Sequence, residues 1–410
     1  SGAQSRTCLD RESAGSGSLD LIWVKGDAIG VYGASKSKNA RFTCSKTGAT
    51  AQFTGNLKGG EKPKYAYYPY NADNAGRDVT DLLGKIPETQ EFNPETGQLT
   101  ADYKYCLEIE NNGKQYVFQH IFTMLRINID ATGTSLAKEN LDCINVFVTD
   151  SEGNKKVING DFSFSAVDGA WGNVTNGTNA IRMPWTTKPV LEENTTMTGF
   201  ISLMPNVNIG DNLYVEVYTD NHKASFVAPI KVDFKAATVY NIPLTLKNYA
   251  AQAEKYQYKE IELPKLKSFS FMVANNTGKL LDKQITWGSD NKPASSAVKQ
   301  LDATINGNEI SLTIPYLYDF KLVPTFTTTT GVTVSANGEK QMSGVTAVDF
   351  TKPVTYIASI DGETKEYTVK ITNTGLPVVV VQQSKSGDFS EKTDGSWLWP
   401  TVYNKFVDFM

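Results

Sequence analysis

The chain has 410 residues but only two histidines and four cysteines, which removes most of the usual routes to a catalytic or metal site. His120 and His222 lie about a hundred residues apart, and neither a Gly-x-Ser-x-Gly elbow nor a Cys-His signature accompanies them. His120 heads an apolar strand-like run, so a structural hydrogen bond suits it better than metal ligation. Cys8, Cys44, Cys106 and Cys143 are widely and unequally spaced, without the close pairs of a zinc site. Cys44, Cys106 and Cys143 fall in or beside β-like runs and read as small buried hydrophobes, while a disulfide stays open for an exported chain. The formal charge of −4 contains no basic block, so nucleic acid is excluded as a partner. No apolar run approaches the roughly 20 residues of a spanning helix. Calcium loops and phosphate-binding glycine loops are absent. Glu192 and Glu193 are adjacent, so on a strand they face opposite ways and cannot line one cleft as a carboxylate pair. No catalytic residue, cofactor or metal is expected.

What remains is rich in Gly, Thr, Val, Tyr and Phe, the balance of an all-β protein with many turns. Apolar residues seldom recur at helical spacing over a long window. The length suits two to four domains of about 100–150 residues. Leu125, Ile127 and Ile129 alternate with Arg126, Asn128 and Asp130, a strand with one buried and one wet face. Asn111-Asn112-Gly113, Asn306-Gly307 and Asp361-Gly362 sit between β-like runs as hairpin turns. Asp78–Leu83 suits a single helical turn. Ile144–Val148 reads as a strand that turns at Ser151–Asn154 and returns over Val157–Phe164.

The most specific segment runs Trp23-Val24-Lys25-Gly26-Asp27-Ala28-Ile29-Gly30-Val31-Tyr32-Gly33. Gly26-Asp27 supplies a turn, after which Ile29 and Val31 face one way and Gly30 and Tyr32 the other. Phe53-Thr54-Gly55 follows, then Tyr65-Ala66-Tyr67-Tyr68-Pro69-Tyr70, with Pro69 placed where a strand can end. Phe118-Gln119-His120 leads into the alternating strand, and Phe234 to Leu246 forms a late strand with Tyr240, Ile242, Leu244 and Leu246 in alternation. Together these segments resemble the fimbrillin family of Gram-negative surface lipoproteins and type V pilins over residues 20–247. A later stretch ending Tyr367-Thr368-Val369-Lys370-Ile371-Thr372 resembles a bacterial immunoglobulin-like module.

The resemblance implies an all-β chain: a flexible arm over 1–18, two consecutive fimbrillin-like β-sandwich domains over 19–130 and 131–247, a linker over 248–266, an immunoglobulin-like β-sandwich over 267–377 and an extension over 378–410. It implies a non-enzymatic pilin or adhesin at the cell surface or outer membrane, lipid-anchored in its precursor, that adds strands to other pilin subunits or surface proteins. The start Ser1-Gly2-Ala3-Gln4 suits a chain trimmed just past a lipid-modified cysteine. Arg6 and Arg11 in the arm are candidates for trimming by an arginine-specific protease. The third domain departs from the two-domain pattern and favours a tip, accessory or stand-alone role. Trp397 and Trp399 are candidates for a sugar platform or adhesive contact, or for the opening strand of a further domain. Alternatives are a glycan-binding surface lipoprotein and the non-catalytic front portion of a larger surface enzyme. The aromatics Tyr65, Tyr67, Tyr68, Tyr70, Trp171, Trp185 and Trp287 suit core positions better than sugar stacking.

Overall fold

The computed structural model describes residues 8–9, 21–93, 97–100, 102–110, 115–185, 187–280, 283–287, 293–314, 317 and 319–373. Its regular structure is almost all β-strand, arranged as sandwiches in two compact units, Ser1–Glu262 and Leu263–Met410. Arg6, Arg11, Trp397, Trp399, the turn at 111–113 and the extension over 378–410 lie outside the described residues. The strands flanking that turn, Lys104–Glu110 and Gln115–His120, pair antiparallel with Glu110 opposite Gln115.

In the first unit a six-stranded sheet runs in the order Phe53–Thr54, Ala40–Cys44, Ala28–Gly33, Pro63–Tyr68, Lys104–Glu110, Gln115–His120. The alternation in Ala28–Gly33 decides its two faces: Ile29 and Val31 bury with Ala66, Tyr68 and Cys106, while Tyr32 turns with Tyr67 and Tyr105 into the main core. A five-stranded sheet, Ala180–Pro184, Leu141–Thr149, Asn212–Thr219, His222–Pro229, Lys259–Glu262, faces a three-stranded one, Met197–Leu203, Thr123–Asp130, Thr238–Thr245. Leu125, Ile127 and Ile129 from one meet Ile144, Val146 and Val148 from the other in the same core.

Three expectations are corrected here. The boundary at 130 does not separate bodies: Leu82–Ile86 pairs with Gly160–Phe164, Thr123–Asp130 lies between two later strands, and one compact unit continues to Glu262, so that the division between the two units falls inside the stretch 248–266. Strand pairing across residue 130 buries apolar faces that neither half could cover alone. Asp78–Leu83 is no helical turn, because Leu82 and Ile86 sit two pleats apart on one buried strand face. Gly160–Phe164 does not return beside Leu141–Thr149 but crosses to a sheet with Leu82–Ile86 and Trp171–Thr175. The arm also gains a feature: Cys8–Leu9 forms a two-residue ladder with Leu21–Ile22.

The second unit pairs Thr304–Asn306, Glu309–Ile314, Glu363–Asn373, Val354–Ile360, Thr333–Ala336 and Glu339–Lys340 in one sheet, and Gln300–Asp302, Leu266–Met272 and Thr325–Thr328 in another. Phe269, Phe271, Phe326, Phe350 and Tyr356 fill the space between them. Both expected hairpins are present, with Asn306 opposite Glu309 and Ile360 opposite Glu363. Asp361 and Gly362 both have positive φ, 50° and 83°, as a two-residue turn matching strand twist requires. The Tyr356 hydroxyl is fully buried and has no protein partner among the described residues. Burial also pushes its pKa well above the ordinary tyrosine value. Removing an unsatisfied buried group recovers part of its desolvation cost, so Tyr356→Phe is expected to stabilise this unit by about 1 kcal/mol. Urea unfolding of the two proteins side by side checks it; a loss of stability would mean the hydroxyl is satisfied.

Candidate interaction site

The two histidines are placed by carboxylates. His120 Nδ1 lies 2.8 Å from Asp102 Oδ1, and Lys104 Nζ lies 3.0 Å from Asp102 Oδ2. Lys104 is 5 % exposed and its ammonium sits 4.7 Å from the Trp23 ring centre and 5.4 Å from that of Tyr68. Trp23 in turn packs edge-on against Phe53, Tyr68 and Phe118, so this is a packed charge pair and not an open site. His222 Nδ1 is 2.9 Å from Glu139 Oε1 at a hairpin end. Burial raises the Glu139 pKa, but hydrogen bonds from Thr219, Asn221 and His222 outweigh it and hold the carboxyl below its ordinary value. Among the described residues no group of three His, Cys, Asp or Glu side chains could hold a metal ion.

Cys44, Cys106 and Cys143 are buried free thiols, and burial pushes Cys143 up to about 12, which keeps it protonated and inert. Tyr67 and Tyr68 are buried, Tyr65 and Tyr70 half-buried, and Trp185 is buried. Trp171 packs on Phe122 and Phe162 and donates Nε1 to the Ile121 carbonyl at 3.1 Å. Trp287 ends the strand Lys283–Trp287. Glu192 and Glu193 are both exposed.

The sheet edges differ sharply in how they are closed. Backbone of Glu88 and Gln90 bonds to both polar groups of Arg182 on the outer strand Ala180–Pro184. The Gln90 side chain does the same for Met197–Leu203, accepting from Ser202 N at 2.8 Å and donating to Ser202 O at 2.6 Å. Thr238–Thr245, at the other edge of that three-stranded sheet, has no strand on its outer side among the described residues. It runs parallel to Thr123–Asp130, with Asn128 opposite Pro243. Pro243 has no N–H to give, which an outermost strand tolerates. Val239 is 40 % exposed on this edge.

The N-terminal ladder comes close to the same sheet. Leu21, paired with Leu9, packs with Phe92, Leu99, Met124 and Phe200 on the sheet's outer face.

No helix among the described residues is long and apolar enough to cross a membrane. A family model described as "SGBP, N-terminal" matches residues 294–371, within the second unit. A Bacteroides uniformis protein named "Putative fimbrium subunit Fim1C" is 25% identical over 177 residues, which cover 39% of this chain and 54% of that relative. This chain therefore matches about half the length of the curated relative. The crystal structure of "a putative cell adhesion protein" from Bacteroides uniformis covers 63% of this chain and 96% of its own, at 17% identity and a TM-score of 0.38. That of "a putative secreted protein" from Bacteroides fragilis covers 27% of this chain and 93% of its own, at 18% identity and a TM-score of 0.16.

Proposed function

We propose that this chain is a non-enzymatic cell-surface protein, a fimbrillin-like pilin or adhesin in a tip, accessory or stand-alone position. It is exported to the outer membrane with a lipid anchor in its precursor, and it joins other pilin subunits or surface proteins by strand addition. The edge Thr238–Thr245 carries this reading, since its two counterpart edges are closed by Glu88–Gln90, whereas no strand lies outside it among the described residues and the Tyr249 hydroxyl reaches only its Pro243 carbonyl. An incoming extended segment would gain main-chain hydrogen bonds along the edge and contact with Val239. The similarity to a protein named as a fimbrium subunit supports the same class. Glycan binding is the second reading, favoured by the match of residues 294–371 to the "SGBP, N-terminal" model.

Size-exclusion chromatography with light scattering, before and after limited digestion by an arginine-specific protease, tests strand addition. Cleavage at Arg6 or Arg11 is expected to convert monomers into a ladder of larger species, and Arg6→Ala/Arg11→Ala to remain monomeric. A clipped chain that stays monomeric would sink assembly through a released arm.

A further inference from the structure

The stretch expected as a linker is folded against the sandwich. Leu246–Ala250 and Ala253–Tyr256 form two short helices, and Lys259–Glu262 adds to the five-stranded sheet beside His222–Pro229. Leu246 is fully buried, and the Tyr249 ring packs on Phe226 at 4.4 Å between centres. Gln257, at φ 49°, ends the second helix, and Tyr258 N bonds back to the Ala253 carbonyl at 2.9 Å. Anchors on both sides hold the helices in place.

Between these helices and the end of the strand Thr238–Thr245 lies a cleft of about 330 Å³, lined by Pro243, Thr245, Asn248, Tyr249, Gln252 and Tyr256. That is the size of the smaller ligand pockets. No lining side chain carries a charge at neutral pH. Tyr249 and Tyr256 pack on each other with ring centres 4.8 Å apart at 60°, forming one aromatic corner, and the Tyr249 hydroxyl donates to the Pro243 carbonyl at 3.4 Å. Lys255, not itself a lining residue, rests its ammonium 4.9 Å from the centre of the Tyr256 ring and donates to Gln252 Oε1 at 3.4 Å, which steadies that corner. Asn248 and Gln252 are exposed and four residues apart, and each amide can both donate and accept. The Thr245 hydroxyl adds a third such group.

We propose that this cleft binds a neutral carbohydrate. A sugar ring offers apolar C–H faces to the tyrosines and hydroxyls that donate and accept to the two amides and the threonine. No lining side chain is charged, and the Lys255 ammonium beside the cleft is already engaged by Gln252 Oε1 and the Tyr256 ring. The site is distinct from the residues 294–371 that match the "SGBP, N-terminal" model, and it stands whether or not the chain polymerises.

Native affinity electrophoresis of the full chain in gels containing starch, laminarin, xylan or galactomannan, with polygalacturonate as the anionic comparison, tests it. At least one neutral polymer is expected to retard the protein and polygalacturonate not to. Tyr256→Ala and Asn248→Ala/Gln252→Ala are each expected to weaken that retardation about tenfold, the scale of one lost aromatic contact. The amide pair is exposed, so its variant should melt with the wild type and keeps the test valid if Tyr256→Ala unfolds. No retardation by any neutral polymer, retardation by polygalacturonate alone, or retardation unchanged in the amide variant would overturn the proposal. An unchanged strand-addition assay would leave that other reading untouched.

Discussion

Gly30→Ala is expected to destabilise the first unit by about 3 kcal/mol, the upper end for forcing extra volume into a packed core. A Cβ there would lie 2.1 Å from Tyr67 Cε1 and 2.6 Å from Asn39 Oδ1. The Tyr67 ring cannot swing aside, because it is fully buried and its hydroxyl is a hub. That hydroxyl donates to Asn39 Oδ1 at 2.7 Å and accepts from Asn74 Nδ2 and Asn71 N, each at 3.1 Å. Burial raises its pKa to about 12, so it keeps its proton. Chemical unfolding, resolved into the transitions of the two units, should show the loss in the first unit alone. A change under 1 kcal/mol would mean the Tyr67 ring has room to yield.

Lys104→Met is expected to cost about 3–5 kcal/mol, since it removes the ammonium that lies 3.0 Å from the buried Asp102 carboxylate. Lys104→Met/Asp102→Leu should recover most of that loss, because neither charge then needs water. A double-mutant cycle by urea unfolding gives the coupling directly. Equal losses in the single and double variants would show that Lys104 acts through its packing on Trp23 and Tyr68 and not through Asp102.

Much of the strand content was legible. Ile29-Gly30-Val31-Tyr32 alternates, and the structure sends its two parities into two different apolar clusters. Asp361-Gly362 names its own turn because only φ above zero closes a two-residue hairpin with the right twist. Which strands pair was less legible. Lys104 and Asp102 look like the wet positions of an alternating strand, and only the register that sets Lys104 opposite His120 shows them as an enclosed pair. Likewise Gly160–Phe164 follows a turn and reads as a hairpin partner, yet its apolar face is needed in the layer with Leu82 and Ile86. The cleft was missed because Asn248–Lys255 is polar and alanine-rich. The available signal was Leu246, Tyr249 and Tyr256 at spacings of three and seven, one apolar helical face within a polar segment.

The parallel pairing of Thr123–Asp130 with Thr238–Thr245 joins residues such as Asn128 and Asn241, 113 positions apart. Contacts this distant close late, after the entropy of a long loop has been overcome. While the chain emerges, Leu125, Ile127 and Ile129 belong to a strand whose later neighbours do not yet exist. Completion of this sandwich therefore waits for the segment that ends at Thr245.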